Sequence, residues 1–354
     1  MSMKKYKVIG VMSGTSLDGI DLVCVTFTFN NKWNFEIHYS ETINYRSYWI
    51  NKLKDLVKYS SFDLETIDEE YTSYLSSIIS DFIDKNDITN IDAICSHGHT
   101  ALHQPDKGIT YQIGNLPKLS SMVKHKVVCD FRIQDVELGG QGAPLVPMGD
   151  KLLFSEYDFC INLGGFANIS LEENMQRIAY DICPVNIVLN HYSRKLGVDY
   201  DDKGFIASTG NVDDSLLNEL NGLDYYKLKH PKSLGLEWVD QNIFPLLDAY
   251  KLEVKDTLRT FVEHICCQIS LSIGYDKNSK ILITGGGVFN NFLIERLQSF
   301  SEGQIVIPNK EIVEYKEAII FGLLGVLKLR NEINCLSSVT GAKHNHSSGK
   351  IFII

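Results

Sequence analysis

No uninterrupted apolar run in this sequence approaches the roughly 20 residues of a membrane-spanning helix, so no span is expected. The eight cysteines, Cys24, Cys95, Cys129, Cys160, Cys183, Cys266, Cys267 and Cys335, are scattered through mostly apolar stretches. They form no C-x-x-C pair and show no metal-ligand spacing, which reads as reduced core thiols. Basic charge is scarce: 34 Lys and Arg stand against 44 Asp and Glu, a net charge of −10 that argues against a nucleic-acid surface. Residues 1–7 are basic, yet the apolar stretch after them is broken by Ser13-Gly14-Thr15-Ser16 before a secretory core forms, so the cytoplasm is the expected compartment. There is no Gly-x-Gly-x-x-Gly fingerprint followed by an acidic residue and no Walker A lysine, which disfavours a dinucleotide fold and a P-loop.

What is present is ordinary globular composition, 44% hydrophobic and 22% charged, over 354 residues. That length exceeds what one core supports, so two domains are expected. Residues 8–12, 20–29 and 33–43 read as three strands with a glycine turn between the first two. Residues 63–85 carry apolar positions at helical spacing, with Asp63 as the expected N-cap. Strands are expected at 91–96 and 126–129. The second half repeats this grammar: strands at 159–163 and 167–171, a third to 180, then helical patterns, a short strand at 280–284, and helices at 290–299 and 316–329. Two strand-turn-strand-strand openings, each followed by helices, imply an internal duplication.

The chemistry is expected in loops. The turn Gly14-Thr15-Ser16-Leu17-Asp18-Gly19 gathers backbone N–H groups and hydroxyls in a way that suits a phosphate, although taken alone it equally fits a β-hairpin with a glycine bulge. Asp18 and Asp21 beside such a turn would be repulsive unless they hold a cation or its waters. Gly164-Gly165 is a second turn of this kind at the equivalent place. Gly285-Gly286-Gly287 lies between a strand and a helix whose N-terminus attracts negative charge. Asp181 at a strand end suits a catalytic group, with a helix cap as the structural alternative. Strand alternation would put His97 and His99 on one side, with no evident set of metal ligands around them or His103. Residues 139–144 read as a hinge or a plain linker.

Together these segments resemble the anhydro-N-acetylmuramic acid kinase family of the actin, sugar kinase and Hsp70 ATPase superfamily. The likeness rests on Ile9 to Asp21, Ser96 to Thr100, Gln112 to Asn115, Asp130 to Pro147, Asn162 to Ile169, Asp181 to Asn186, Pro231 to Glu237, Gly285 to Asn290 and Thr340 to Ala342. The resemblance implies an α/β fold with two ribonuclease-H-like domains around a nucleotide cleft, 1–132 plus about 336–354 forming the first and 133–335 the second. It implies ATP and Mg²⁺, an amino-sugar substrate, and a homodimer. The implied reaction opens the internal ether of a 1,6-anhydro sugar with water while O6 takes the phosphoryl group, in cell-wall recycling. By the same carry-over Asp181 is the general base. Gly14, Thr15, Ser16, Leu17, Asp18, Gly19, Ile20, Asp21, Gly164, Gly165, Gly285, Gly286, Gly287, Asn290 and Glu317 contact ATP. Arg132, Gln141 and Asn186 contact the sugar or phosphate, and Asp18 or Asp21 holds Mg²⁺ through its waters. One departure stands out: the family follows this Asp with Thr-Gly-Pro-Gly-Asn, where this chain has Ile182-Cys183-Pro184-Val185-Asn186. That removes two glycines and a hydroxyl donor beside the base. A kinase for another sugar hydroxyl, or an actin-like ATP-binding regulator, are the alternatives.

Overall fold

A computed structural model describes residues 4–14 and 17–354, so Thr15 and Ser16, expected to contact ATP, lie outside the described residues. The chain folds as two units, Met1–Phe154 with Tyr315–Ile354, and Ser155–Glu314. In the first, β1 (Lys4–Ser13), β2 (Gly19–Asn30) and β3 (Lys32–Asn44) form an antiparallel meander. On its other edge β1 pairs in parallel with β4 (Ala93–Gln104), and β4 with β6 (Val127–Cys129); β5 (Ile109–Ile113) pairs with β4. The second unit repeats the order. There β7 (Phe159–Leu163), β8 (Phe166–Glu173) and β9 (Gln176–Pro184) form the meander, and β10 (Lys280–Thr284) and β11 (Gln304–Val306) add in parallel beside β7. The expected α/β duplication is thus a repeat of strand order. β12 (Lys350–Phe352) closes the first sheet against β6.

The unit boundaries differ from 132/133 and 335/336. Residues 133–154 sit with the first unit because their polar groups bond there: the Gly142 N–H and the Thr340 hydroxyl both donate to Asp135, and Lys316 pairs with the buried Asp150 at 2.7 Å. The helix Lys310–Leu329 enters the first unit at Tyr315 and packs on β1 so closely that a Cβ on Gly10 would lie 2.0 Å from the Ala318 carbonyl oxygen. Glycine at 10 is required by that approach, not by turn geometry. On the other side of the sheet the helix Ser61–Lys85 buries Leu64, Ile67, Tyr71, Leu75, Ile79 and Phe82. Its N-cap is Ser60, whose Oγ accepts the Asp63 N–H at 3.2 Å. Asp63, expected as the cap, stands at the third helical position and accepts from the Ser60 hydroxyl at 2.7 Å, because a serine hydroxyl there serves both a donor and an acceptor. Among the described residues no helix is long and apolar enough to cross a membrane.

Candidate active site

In the first unit the turn between β1 and β2 is shaped by backbone. Leu17 takes φ 61°, a left-handed conformation unusual for a leucine, and its N–H reaches the Gly14 carbonyl at 3.5 Å. Gly19 is fixed by strand approach, since a Cβ there would stand 2.6 Å from the Ile43 carbonyl oxygen. Asp18 is exposed at the mouth of the turn and accepts the Gly19 N–H at 3.0 Å. Asp21 accepts the Thr42 hydroxyl at 2.6 Å. The Ile20 side chain is fully buried in the core, so only its backbone is available to a ligand.

Under the turn lies a network that the sequence reading did not single out. Ser13 Oγ is 2.6 Å from the Tyr45 hydroxyl, 2.7 Å from His99 Nδ1 and accepts from the Tyr71 hydroxyl at 2.9 Å. The sequence points to Ser13 as a hydroxyl donor of the phosphate turn; instead it is buried and bonds inward to Tyr45, Tyr71 and His99. His97 and His99 go to different neighbours, contrary to simple alternation, because Gly98 between them takes φ 74° and the β1–β4 register shifts there. His97 packs on Phe321, while His99 packs on Tyr45 and Tyr71. Burial holds the His97 imidazole well below its ordinary range and the Arg132 charge adds to this. Neutral His97 donates from Nδ1 to the Gly98 carbonyl and accepts the Arg132 Nε–H on Nε2 at 2.9 Å. Arg132 also donates to the Gly142 carbonyl at 2.7 Å. His103 lies apart, 3.2 Å from the Thr110 hydroxyl.

Glu317 is exposed, yet dense surroundings push its pKa up; Arg132 and Lys316 pull it down and Asp18 pushes it up again. Asp18, Glu317 and Arg132 therefore share one electrostatic neighbourhood. Gln141 is exposed, and its N–H bonds the Thr340 carbonyl at 2.8 Å.

In the second unit the equivalent turn is tight. The carbonyls of Gly164 and Gly165 accept N–H groups from Val185, Asn186 and Ile187, so the turn caps the start of the helix Asn186–Arg194. Gly285 and Gly287 lie against the same turn, since a Cβ on either would approach Asn162 or Leu163 within 2.6–2.7 Å. Asn186 donates to the Leu163 carbonyl at 3.3 Å. Asn290 is the N-cap of the helix Asn291–Phe300, accepting the Leu293 N–H at 3.0 Å. The glycine turns and Asn186 thus form one cluster in which much of the hydrogen bonding is already internal.

Asp181 sits inside β9, not at its end, beside a register shift opposite Ala167 and Asn168. Three contacts pin it: its N–H donates to the Lys232 carbonyl at 3.3 Å, its carbonyl accepts the Tyr225 hydroxyl at 2.6 Å, and Oδ2 accepts the Leu234 N–H at 2.8 Å. No hydrogen bond from the described residues reaches Oδ1. Burial raises the Asp181 pKa, and the Leu234 N–H pulls it back. Tyr225, Lys232 and Leu234 were not read as site residues, and the Pro231-to-Glu237 string was the one available signal. The side chains that depart after Asp181 are buried: Ile182, Cys183 and Val185 lie in the core, and Val185 takes φ −131°, ψ −99°, outside both the extended and the helical regions.

The family model for anhydro-N-acetylmuramic acid kinase matches residues 6–354. The anhydro-N-acetylmuramic acid kinase of Haemophilus influenzae is 31% identical over 382 residues, covering 99% of each chain. That of Mannheimia succiniciproducens is 32% identical over 373 residues, again covering 99% of each. Among solved structures, the activator of the 2-hydroxyisocaproyl-CoA dehydratase from Clostridium difficile with bound ADPNP aligns over 92% of this chain and 96% of that one, with TM-score 0.46 and 13% identity. With the family matched from Tyr6 to the last residue, the chain belongs to the anhydro-N-acetylmuramic acid kinase family and is a kinase whose acceptor is an alcohol group.

Proposed function

We propose that the enzyme opens 1,6-anhydro-N-acetylmuramic acid with water and phosphorylates its O6, giving N-acetylmuramic acid 6-phosphate and ADP in cell-wall recycling. The observation that carries this is Asp181, a carboxylate held by one oxygen on the Leu234 N–H with the other open. In the proposed step Oδ1 takes a proton from water as its oxygen bonds to the anomeric carbon. The C1–O6 bond breaks, O6 bonds to the γ-phosphorus of ATP, ADP leaves, and Asp181 later returns the proton to solvent. A raised pKa makes Asp181 a stronger base than an exposed carboxylate.

In this reading the backbone of Gly14 and of Leu17 to Asp21 serves the ATP phosphates. Gly164, Gly165, Gly285 to Gly287, Asn290 and Glu317 border the nucleotide, while Arg132, Gln141 and Asn186 serve the sugar or its phosphate. Asp18, exposed and coupled to Glu317, is a hard oxygen donor in a place where two carboxylates repel, which fits Mg²⁺ held through water better than Asp21, whose carboxylate accepts from Thr42. The ion would supply charge stabilisation for the moving phosphoryl group.

The test supplies the anhydro sugar and its ring-opened form separately, in water enriched in heavy oxygen. Phosphorylation of the anhydro sugar with label entering at C1 is expected. Equal phosphorylation of both forms without label would replace this reading with an ordinary hydroxyl kinase.

A further inference from the structure

Asp135, Cys335 and His346 come together in the first unit from positions that share no sequence spacing, their ligand atoms all within 4.8 Å of one another. All three are buried, at 0%, 1% and 5% exposure. Cys335 and His346 face each other across an antiparallel bridge with backbone hydrogen bonds of 3.1 and 3.2 Å. Asp135 lies on the short helix Ile133–Glu137. The Cys335 thiol donates to Asp135 Oδ1 at 3.0 Å, and His346 Nε2 is 3.5 Å from the same oxygen. A tetrahedral zinc site with bonds near 2.0–2.3 Å sets its ligand atoms about 3.3–3.7 Å apart, so the cluster needs only small adjustment.

The second observation concerns the histidine. Its Nδ1 lies 3.0 Å from the His344 carbonyl, which can only accept, so Nδ1 carries the proton. In the neutral ring Nε2 presents a lone pair; it is buried and has no hydrogen-bond partner. A lone pair aimed at a carboxylate oxygen 3.5 Å away is repulsive unless positive charge, a second ring proton or a metal ion, stands between them. A ring proton on a backbone carbonyl with the other nitrogen turned inward is also how ligating histidines are usually held. The carboxylate is oriented in the same manner, by the Thr340 hydroxyl on Oδ1 and the Gly142 N–H on Oδ2, both at 2.7 Å.

We infer that Asp135, Cys335 and His346 form a structural site for a divalent zinc-class cation that ties the C-terminal segment to the Arg132–Gly142 loop. Burial and the neighbouring carboxylate push the Cys335 thiol up, so without metal it stays protonated and donates to Asp135. On binding, the S–H bond breaks, a metal–sulfur bond forms and the proton leaves to solvent.

The full-length protein, stripped with a chelator and dialysed, is titrated with Co²⁺. One equivalent is expected to give a thiolate-to-cobalt charge-transfer band that Zn²⁺ abolishes, and Zn²⁺ is expected to raise the melting temperature. Cys335→Ser keeps a donor for Asp135, so it should fold, lose the band and lose the zinc-dependent shift. His346→Gln should weaken binding by at least about tenfold. Absence of a stoichiometric band, or a band undiminished in Cys335→Ser, would overturn the site; either result assigns the cluster to a plain hydrogen-bonded core.

Discussion

The turn joining β1 to β2 and the turn joining β7 to β8 occupy equivalent places in two sheets of the same strand order, yet they have diverged in what they offer. The first is five residues long from Gly14 to Asp18, carries a strained Leu17, and stands near Glu317 and Arg132. The second is only Gly164-Gly165, and its carbonyls cap a helix. Where the first unit keeps acids and an arginine around its turn, the second uses its turn as scaffold, and the chemistry proposed for it rests on Asp181 instead. Duplication therefore preserved the pairing pattern, which the core enforces, and left the turns to diverge, because a turn is constrained only by its closing geometry.

The strongest test of that division is Asp181→Asn. The amide keeps an acceptor for the Leu234 N–H but cannot take a proton, so turnover should fall by at least about a hundredfold with ATP binding retained. Its stability effect has a definite sign. A raised carboxylate pKa means the folded state is more stable below the ordinary carboxylate pKa, and that contribution is lost as pH rises through the folded value. The neutral amide should thus melt at the same temperature or higher at neutral pH; a clear drop in melting temperature would assign Asp181 to structure.

Acid should affect both units. His99 in the first unit is pushed down to about 4 and His264 in the second to about 3, both by burial. For a depressed base the stability is present above the unfolded value of 6.5 and is lost as pH falls toward the folded one. His99 alone accounts for about 3 kcal/mol across that window. His99→Asn should flatten the pH dependence of melting between 6.5 and 4. An unchanged slope would mean that His99 is protonated in the fold.

Glycine substitutions separate the turns directly. Gly19→Ala must move the Ile43 carbonyl and should lose about 1–3 kcal/mol in denaturant titration. The smallest effect is expected at Gly165→Ala, whose Cβ would meet only Ile187 at 4.0 Å, with a change within about 0.5 kcal/mol. Equal losses at the two positions would erase the distinction between a packed turn and a tolerant one.

By itself the sequence determined the repeated strand grammar, the helix over most of Ser61–Lys85 and the glycine turns, because periodicity and turn residues are local signals. It misjudged the unit boundaries, since those depend on where Asp135 and Asp150 find partners, and it placed His97 and His99 together because Gly98 hides its positive φ until the backbone is built. The burial of Ile182, Cys183 and Val185 was equally hidden: a motif departure looks the same whether its side chains face a ligand or a core. Only the tertiary structure joined Asp135 to Cys335 and His346 and Ser13 to Tyr45, Tyr71 and His99, because residues 32 to 211 positions apart meet through packing, which no local pattern encodes.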